Sequence, residues 1–231
     1  MRYAVLDWDN TLRKGYTLFS WTDFLCKSGL ISFDIKVREA DLSRQYLLGQ
    51  ISHDEYARSA CEDYALALKD KSEKEIENAA NDYWEYDKLQ LFGFTHDLFC
   101  LLHQNDIKPI IISGAPKCII EKYKKHFFLH EILAVEPEYI RNKYTGKIKC
   151  NYGYNKENTM LQLKAKLGES PILAFGDSSS DVPLFKSARH SFCIYDKVPL
   201  QLAEGTIAIS QNSDGIMLNK LISKLLSSDL F

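Results

Sequence analysis

Hydrophobic positions along this chain follow two rhythms. At the N-terminus Tyr3-Ala4-Val5-Leu6 is an unbroken apolar run that stops at the turn-forming stretch Asp7-Trp8-Asp9-Asn10-Thr11. A short run bounded in this way predicts a buried parallel strand. From Thr17 to about residue 88 the rhythm becomes helical. Leu18, Trp21 and Leu25 share one helical face, with Thr17 as the expected N-cap, and a second helix is expected over 34–48. In 52–69 Tyr56, Ala60, Tyr64 and Leu68 recur every four residues behind a cap at Asp54 or Ser52. Ser72 with Glu75 forms a capping-box signature for a helix running to Trp84-Glu85-Tyr86.

Beyond Leu91 strands and helices alternate. Thr95 is expected to cap a helix ending at His103, and Lys108-Pro109-Ile110-Ile111-Ile112 reads as a strand that ends in the turn Ser113-Gly114-Ala115-Pro116. Lys117 to Phe127 reads as the next helix, with Pro116 at its first turn. Ile132 to Val135 is a further strand, 138–152 a hairpin or long loop, and Asn155 or Lys156 opens a helix that Gly168 closes. Pro171 to Phe175 is a strand ending in Gly176-Asp177-Ser178-Ser179-Ser180-Asp181, followed by a short helix over 182–188. Weaker strands are expected over 191–195 and 206–209, with helices around 198–204 and 215–226. The alternation predicts an α/β fold with a doubly wound parallel sheet, made of 1–14 and 89–231, and a helical block of 15–88 inserted after the first strand.

Composition changes this picture little. With 231 residues, 45% hydrophobic and 26% charged, the chain can bury a sizeable core, and a net charge of −2 favours neither nucleic acid nor an anionic membrane surface. Its six cysteines show no C-x-x-C pair or zinc-ribbon spacing. With no basic-then-apolar leader and charges breaking every long apolar stretch, a cytoplasmic protein, monomer or homodimer, is expected.

Four polar stretches are the candidate chemistry: Asp7-Trp8-Asp9-Asn10-Thr11, Ser113-Gly114, Lys156 and Gly176-Asp177 with Asp181. Each follows a strand or opens a helix. Asp7 and Asp9 end the first strand, where open α/β sheets bind ligands, and that pairing suits a nucleophile beside an acid/base.

In order and placement the four stretches resemble the haloacid dehalogenase (HAD) superfamily of aspartate-nucleophile hydrolases, over almost the whole chain. The Gly176 to Leu184 stretch and the helical insert are most similar to its phosphoserine-phosphatase-like branch. The resemblance implies a Rossmann-like HAD core, a helical cap over 15–88, and a phosphatase acting on a small phosphorylated metabolite with Mg²⁺. Asp7 would attack phosphorus and form an aspartyl-phosphate, and Asp9 would protonate the leaving oxygen and then activate water. Asp7 and Asp177 are hard oxygen ligands suited to Mg²⁺. By the resemblance Asp9 adds its backbone carbonyl to the metal and Asp181 orients a metal water or Lys156. Ser113, the Gly114 amide and the following helix would bind phosphoryl oxygens, Lys156 would add charge to them, and Thr11 completes the motif on the phosphate side. Lys143, Lys147 and Lys149 stand near enough to compete with Lys156 for that role.

Two positions depart from the phosphoserine pattern. By the resemblance Tyr16 occupies the place of a Glu that grips the substrate ammonium, and the cap offers Arg58, at another helical position, as the cation for the substrate carboxylate. Both are expected to line the pocket. Other readings keep the same site: a phosphotransferase or mutase passing the phosphoryl group to another acceptor, or a non-catalytic module that binds a phosphorylated ligand.

Overall fold

In the computed structural model, which describes residues 1–195 and 204–228, the N-terminal apolar run is strand β1 (Tyr3–Leu6), buried at all four positions. Four helices follow with no strand among them: α1 (Thr17–Lys27), α2 (Asp34–Leu47), α3 (His53–Ala67) and α4 (Glu73–Asp87). Alternation then sets in, with α5 (Thr95–Gln104), β2 (Lys108–Pro116), α6 (Lys117–Ile120), β3 (Glu131–Ile140), β4 (Lys143–Cys150) and α7 (Lys156–Leu167). The last elements are β5 (Leu173–Gly176), α8 (Val182–Ser187), β6 (His190–Tyr195), β7 (Ile207–Ser210) and α9 (Gly215–Ser228). The helix expected around 198–204 falls outside the described residues except at Glu204.

The strands form one sheet in the order β4-β3-β2-β1-β5-β6-β7, parallel at every junction except the β3–β4 hairpin. From β1 the chain builds outward first through β2 and β3, then the other way through β5, β6 and β7. That reversal opens a crevice at the carboxyl ends of β1 and β5. Side chains of β1 alternate between two cores: Ala4 and Leu6 pack with α5 and α9, while Tyr3 and Val5 pack with α7 and α8. The helical block has a buried cluster of its own around Trp21, Leu25, Tyr64 and Tyr83, which Ile119, Val135 and Tyr144 join from the sheet side. Among the described residues no helix is long and apolar enough to cross a membrane.

Local structure departs from the sequence reading in several places. Thr17 and Thr95 are first helical residues, preceded by Tyr16 and Phe94, which make no side-chain cap. Both hydroxyls are instead used in tertiary contacts: Thr17 donates to the Asp9 carboxylate, and Thr95 donates to the Leu12 carbonyl at 2.7 Å. Ser52, not Asp54, caps α3, and both it and Ser72 form complete capping boxes. Ser113 to Pro116 continue β2 instead of turning, with a register shift against β3 after Ile112. The stretch 138–152 is a hairpin turned by Arg141 and Asn142, at φ 53° and 63°. The helix expected over 117–127 stops after α6 and one 3₁₀ turn, Glu121–Tyr123. Tyr123 turns inward there: its hydroxyl donates to Asp87 at 2.7 Å and its ring lies 4.8 Å from that of Trp8.

Candidate active site

Asp7 is the first residue past β1, and its amide donates to the Phe175 carbonyl at 2.9 Å, which ties it to the end of β5. The next residues wind tightly around one acceptor, because the Trp8 carbonyl takes the amides of Thr11, Leu12 and Arg13. Asn10 sits in the left-handed region at φ 57°, and its side chain accepts from the Gly15 amide at 2.9 Å. This turn carries the chain into α1, whose first amide donates to both Asp9 carboxylate oxygens at 3.0 Å. Asp9 therefore serves as the acceptor at the start of α1.

Lys156 opens α7 behind Asn155, whose side chain caps the helix by accepting from the Asn158 amide. Its ammonium donates to Asp7 Oδ1 at 2.8 Å and to Asp181 Oδ1 at 2.5 Å. Of the four lysines the sequence offered, Lys156 is the one lodged on Asp7. The other oxygen of Asp181 accepts from the amides of Asp177 and Ser178, both at 3.0 Å, and from the Ser178 hydroxyl at 3.1 Å. Gly176 makes this fit possible, since a Cβ there would stand 2.4 Å from Asp181 Cβ.

Carboxylate oxygens of Asp7, Asp177 and Asp181 lie within 4.8 Å of one another. Three acids share one lysine, an excess of two negative charges if all are ionised. Burial raises the Asp7 pKa, with Lys156 opposing the rise and Asp181 adding to it. Burial and then the charges of Asp7 and Asp181 push Asp177 upward. Asp9 is pushed up to about 7 by burial, against the pull of Thr17 and Arg13. Burial works against the charge on Lys156, but Asp181 and Asp7 outweigh it and raise its pKa. Hard oxygen donors crowded together and short of positive charge fit a magnesium ion, for which Asp7 and Asp177 are the available ligands, Asp181 being engaged by its own partners.

The site opens into a cavity of about 440 Å³, whose wall includes Asp7, Asp9, Ser113, Gly114, Lys156 and Asp177. Ser113 is buried, and its oxygen accepts from the Ala115 amide at 3.2 Å, leaving its own proton available to a ligand. With only four residues, α6 lends less of the helix-end field expected behind Ser113 and Gly114. Tyr16 stands on the cavity wall and is 61% exposed. Arg58 is off the wall: exposed to solvent, it donates to the Tyr154 hydroxyl at 2.8 Å and lies over that ring. Thr11 is also off the wall, fully buried with its hydroxyl unpartnered. The Asp9 side chain stands apart from the three-carboxylate cluster, engaged by Thr17.

Sequence reasoning missed two parts of this site. Gly153 presses on Ser113 and Gly114, since a Cβ there would lie 2.2 Å from the Gly114 nitrogen. Tyr56, Ala60 and Tyr64 share one four-residue recurrence, yet Tyr56 and Ala60 line the cavity together with Phe19 and Tyr46. Periodicity identified that face without saying whether it meets core or cavity.

A search of the curated proteins finds no match. Among solved structures, a protein of unknown function from Bordetella pertussis Tohama I superposes with a TM-score of 0.72 at 18% identity, covering 91% of this chain and 98% of that one. A probable phosphoserine phosphatase from Vibrio cholerae gives 0.69 at 17%, covering 99% of this chain and 66% of that one. A substrate-bound phosphoserine phosphatase gives 0.62 at 16%, covering 96% and 98%. The family model of haloacid dehalogenase-like hydrolases matches residues 4–186, from the second residue of β1 to the second-to-last residue of α8, and the chain belongs to that family.

Proposed function

We propose that the protein is a Mg²⁺-dependent phosphatase that hydrolyses a small phosphomonoester through an aspartyl-phosphate on Asp7. The observation that carries this reading is the Lys156 ammonium lodged between Asp7 and Asp181, at the end of a cavity that also holds Ser113, Gly114 and Asp177. A phosphate monoester repels an anionic attacker, so the site needs a fixed nucleophile in positive surroundings. Asp7 and Asp177 would hold the magnesium ion, which when bound offsets the charge of the phosphoryl oxygens.

The chain's own residues do the rest. An oxygen of Asp7 bonds to phosphorus as the ester oxygen departs, and Asp9 gives its proton to that oxygen, releasing the alcohol. Asp9 then takes a proton from water as the water oxygen attacks phosphorus, which frees Asp7 and releases inorganic phosphate. A carboxyl pushed up to about 7 can both hold and surrender that proton near neutral pH. Ser113 and the Gly114 amide receive the phosphoryl oxygens. Lys156 adds positive charge beside them and keeps Asp7 aimed, with Asp181 holding Lys156 in place. The helices of 15–88 act as a cap over this site and limit it to small substrates.

Phosphate release from p-nitrophenyl phosphate is the test. It should require magnesium, stop on chelation, and fall at least about a thousandfold in Asp7→Asn. Full activity in that variant would overturn the reading.

A further inference from the structure

Away from Asp7 the cavity wall is aromatic. Tyr16, Phe19, Tyr56, Tyr46 and His53 form a continuous run of rings, with successive centroids 6.2, 6.1, 5.0 and 5.7 Å apart. All five line the cavity, as does Ala60. Lys156 is the only lysine or arginine on the wall among its described residues, and Asp7 and Asp181 already hold it. Arg58, the cation the sequence offered for a substrate carboxylate, lies off the wall and is engaged there by the hydroxyl and ring of Tyr154, itself a wall residue. The far end of the cavity therefore presents His53 but no lysine or arginine to a carboxylate, and its rings supply apolar area and stacking faces.

Building on the phosphatase reading, we infer that the aromatic run makes this site selective for phosphomonoesters of uncharged aromatic alcohols and poor at accepting amino-acid phosphates. With the phosphoryl group on Ser113, Gly114 and Lys156, an aromatic leaving group reaches Phe19 and Tyr56 and displaces water from them. A substrate carboxylate in the same place would lose hydration and gain no lysine or arginine partner. The chemistry remains hydrolysis of the ester P–O bond, with water supplying one oxygen to phosphate and one proton to the alcohol.

Benzyl phosphate, ethyl phosphate and phosphoserine all release primary alcohols, so their comparison tests recognition more than leaving-group reactivity. With magnesium, kcat/KM for benzyl phosphate should exceed that for each of the others by at least about tenfold. Tyr56→Ala should collapse the benzyl-to-ethyl ratio, chiefly through KM. Phe19→Leu, which keeps apolar volume, should shrink that ratio as well and guards against misfolding of the first variant. Equal or better turnover of phosphoserine would overturn the aromatic selectivity and leave the phosphatase reading standing. Should none of the esters be hydrolysed, calorimetry of benzyl phosphate against phosphoserine on the wild-type protein decides the matter: tighter benzyl binding upholds selectivity while the phosphatase reading fails, and equal binding rejects both.

Discussion

Asp7 and Arg13 lie six residues apart in one turn, and each anchors a cluster of buried charge. Arg13 meets Asp87 at the end of α4, Nε to Oδ1 at 2.9 Å, with both side chains almost wholly buried. Its remaining guanidinium nitrogens donate to the Lys14 carbonyl, the Ser20 hydroxyl and the Tyr83 hydroxyl, and the second oxygen of Asp87 accepts from Tyr123. One positive charge meets one negative, and every group has a partner. The Asp7 cluster is different: three carboxylates share the single lysine, and two of them are raised in pKa by burial and mutual repulsion. A balanced buried pair clamps the start and end of the helical insert. An unbalanced one is short of positive charge, which is why the proposed metal is placed there.

The largest effect that tests this contrast is at Asp177. Asp177→Asn should lower phosphatase activity at least about a thousandfold, on the order of 4 kcal/mol in the barrier, because it removes a proposed magnesium ligand. In chelator the same variant should melt higher than the wild type, since it removes a negative charge from a cluster with too many. Each kcal/mol gained would appear as about 2–4 °C in Tm for a chain of this size. Loss of activity accompanied by a lower metal-free Tm would break the contrast.

At the balanced pair the sign reverses. Arg13→Met or Asp87→Leu alone leaves an uncompensated buried charge and should cost about 3–5 kcal/mol of stability in urea unfolding. Combining them should cost clearly less than the sum, because the double variant leaves neither charge stranded. Additive losses would mean that the two residues act through separate contacts.

The two clusters were not equally visible in the sequence. The D-x-D-x-T turn and the Gly-Asp stretch around Asp177 each follow an apolar strand, so local pattern placed Asp7 and Asp177 at the same end of a parallel sheet. The capping boxes at Ser52 and Ser72 were legible because cap and partner stand three residues apart. Arg13 and Asp87 are separated by 74 positions, and no short-range pattern joins them. Gly153 against Gly114 was hidden for the same reason, as a contact between a loop and the end of β2 that depends on the finished sheet. The early end of α6 likewise depends on Tyr123 reaching Asp87. Local signals thus located the carboxylates that cluster at the end of the sheet, while the contacts that support them depend on tertiary packing.

The smallest effect sharpens the comparison through pH. The Asp9 carboxyl stands at about 7 in the folded protein, above the ordinary value of about 3.9, and Asp7 and Asp177 are displaced in the same direction. The folded state therefore holds protons that the unfolded state has released. Stability from this source is fully present below about pH 3.9 and is lost as pH rises through the folded-state values. In chelator, urea unfolding should show stability falling from about pH 5 to pH 8, with a slope for Asp9 below the ceiling of about 1.4 kcal/mol per pH unit, since one side of Asp9 meets cavity water. Asp9→Asn should flatten that slope, and magnesium should restore stability at pH 8, because it binds the folded state alone. A metal-free protein equally stable across that range would show that the acidic cluster is relieved by some other means, and that its excess charge does not mark the site.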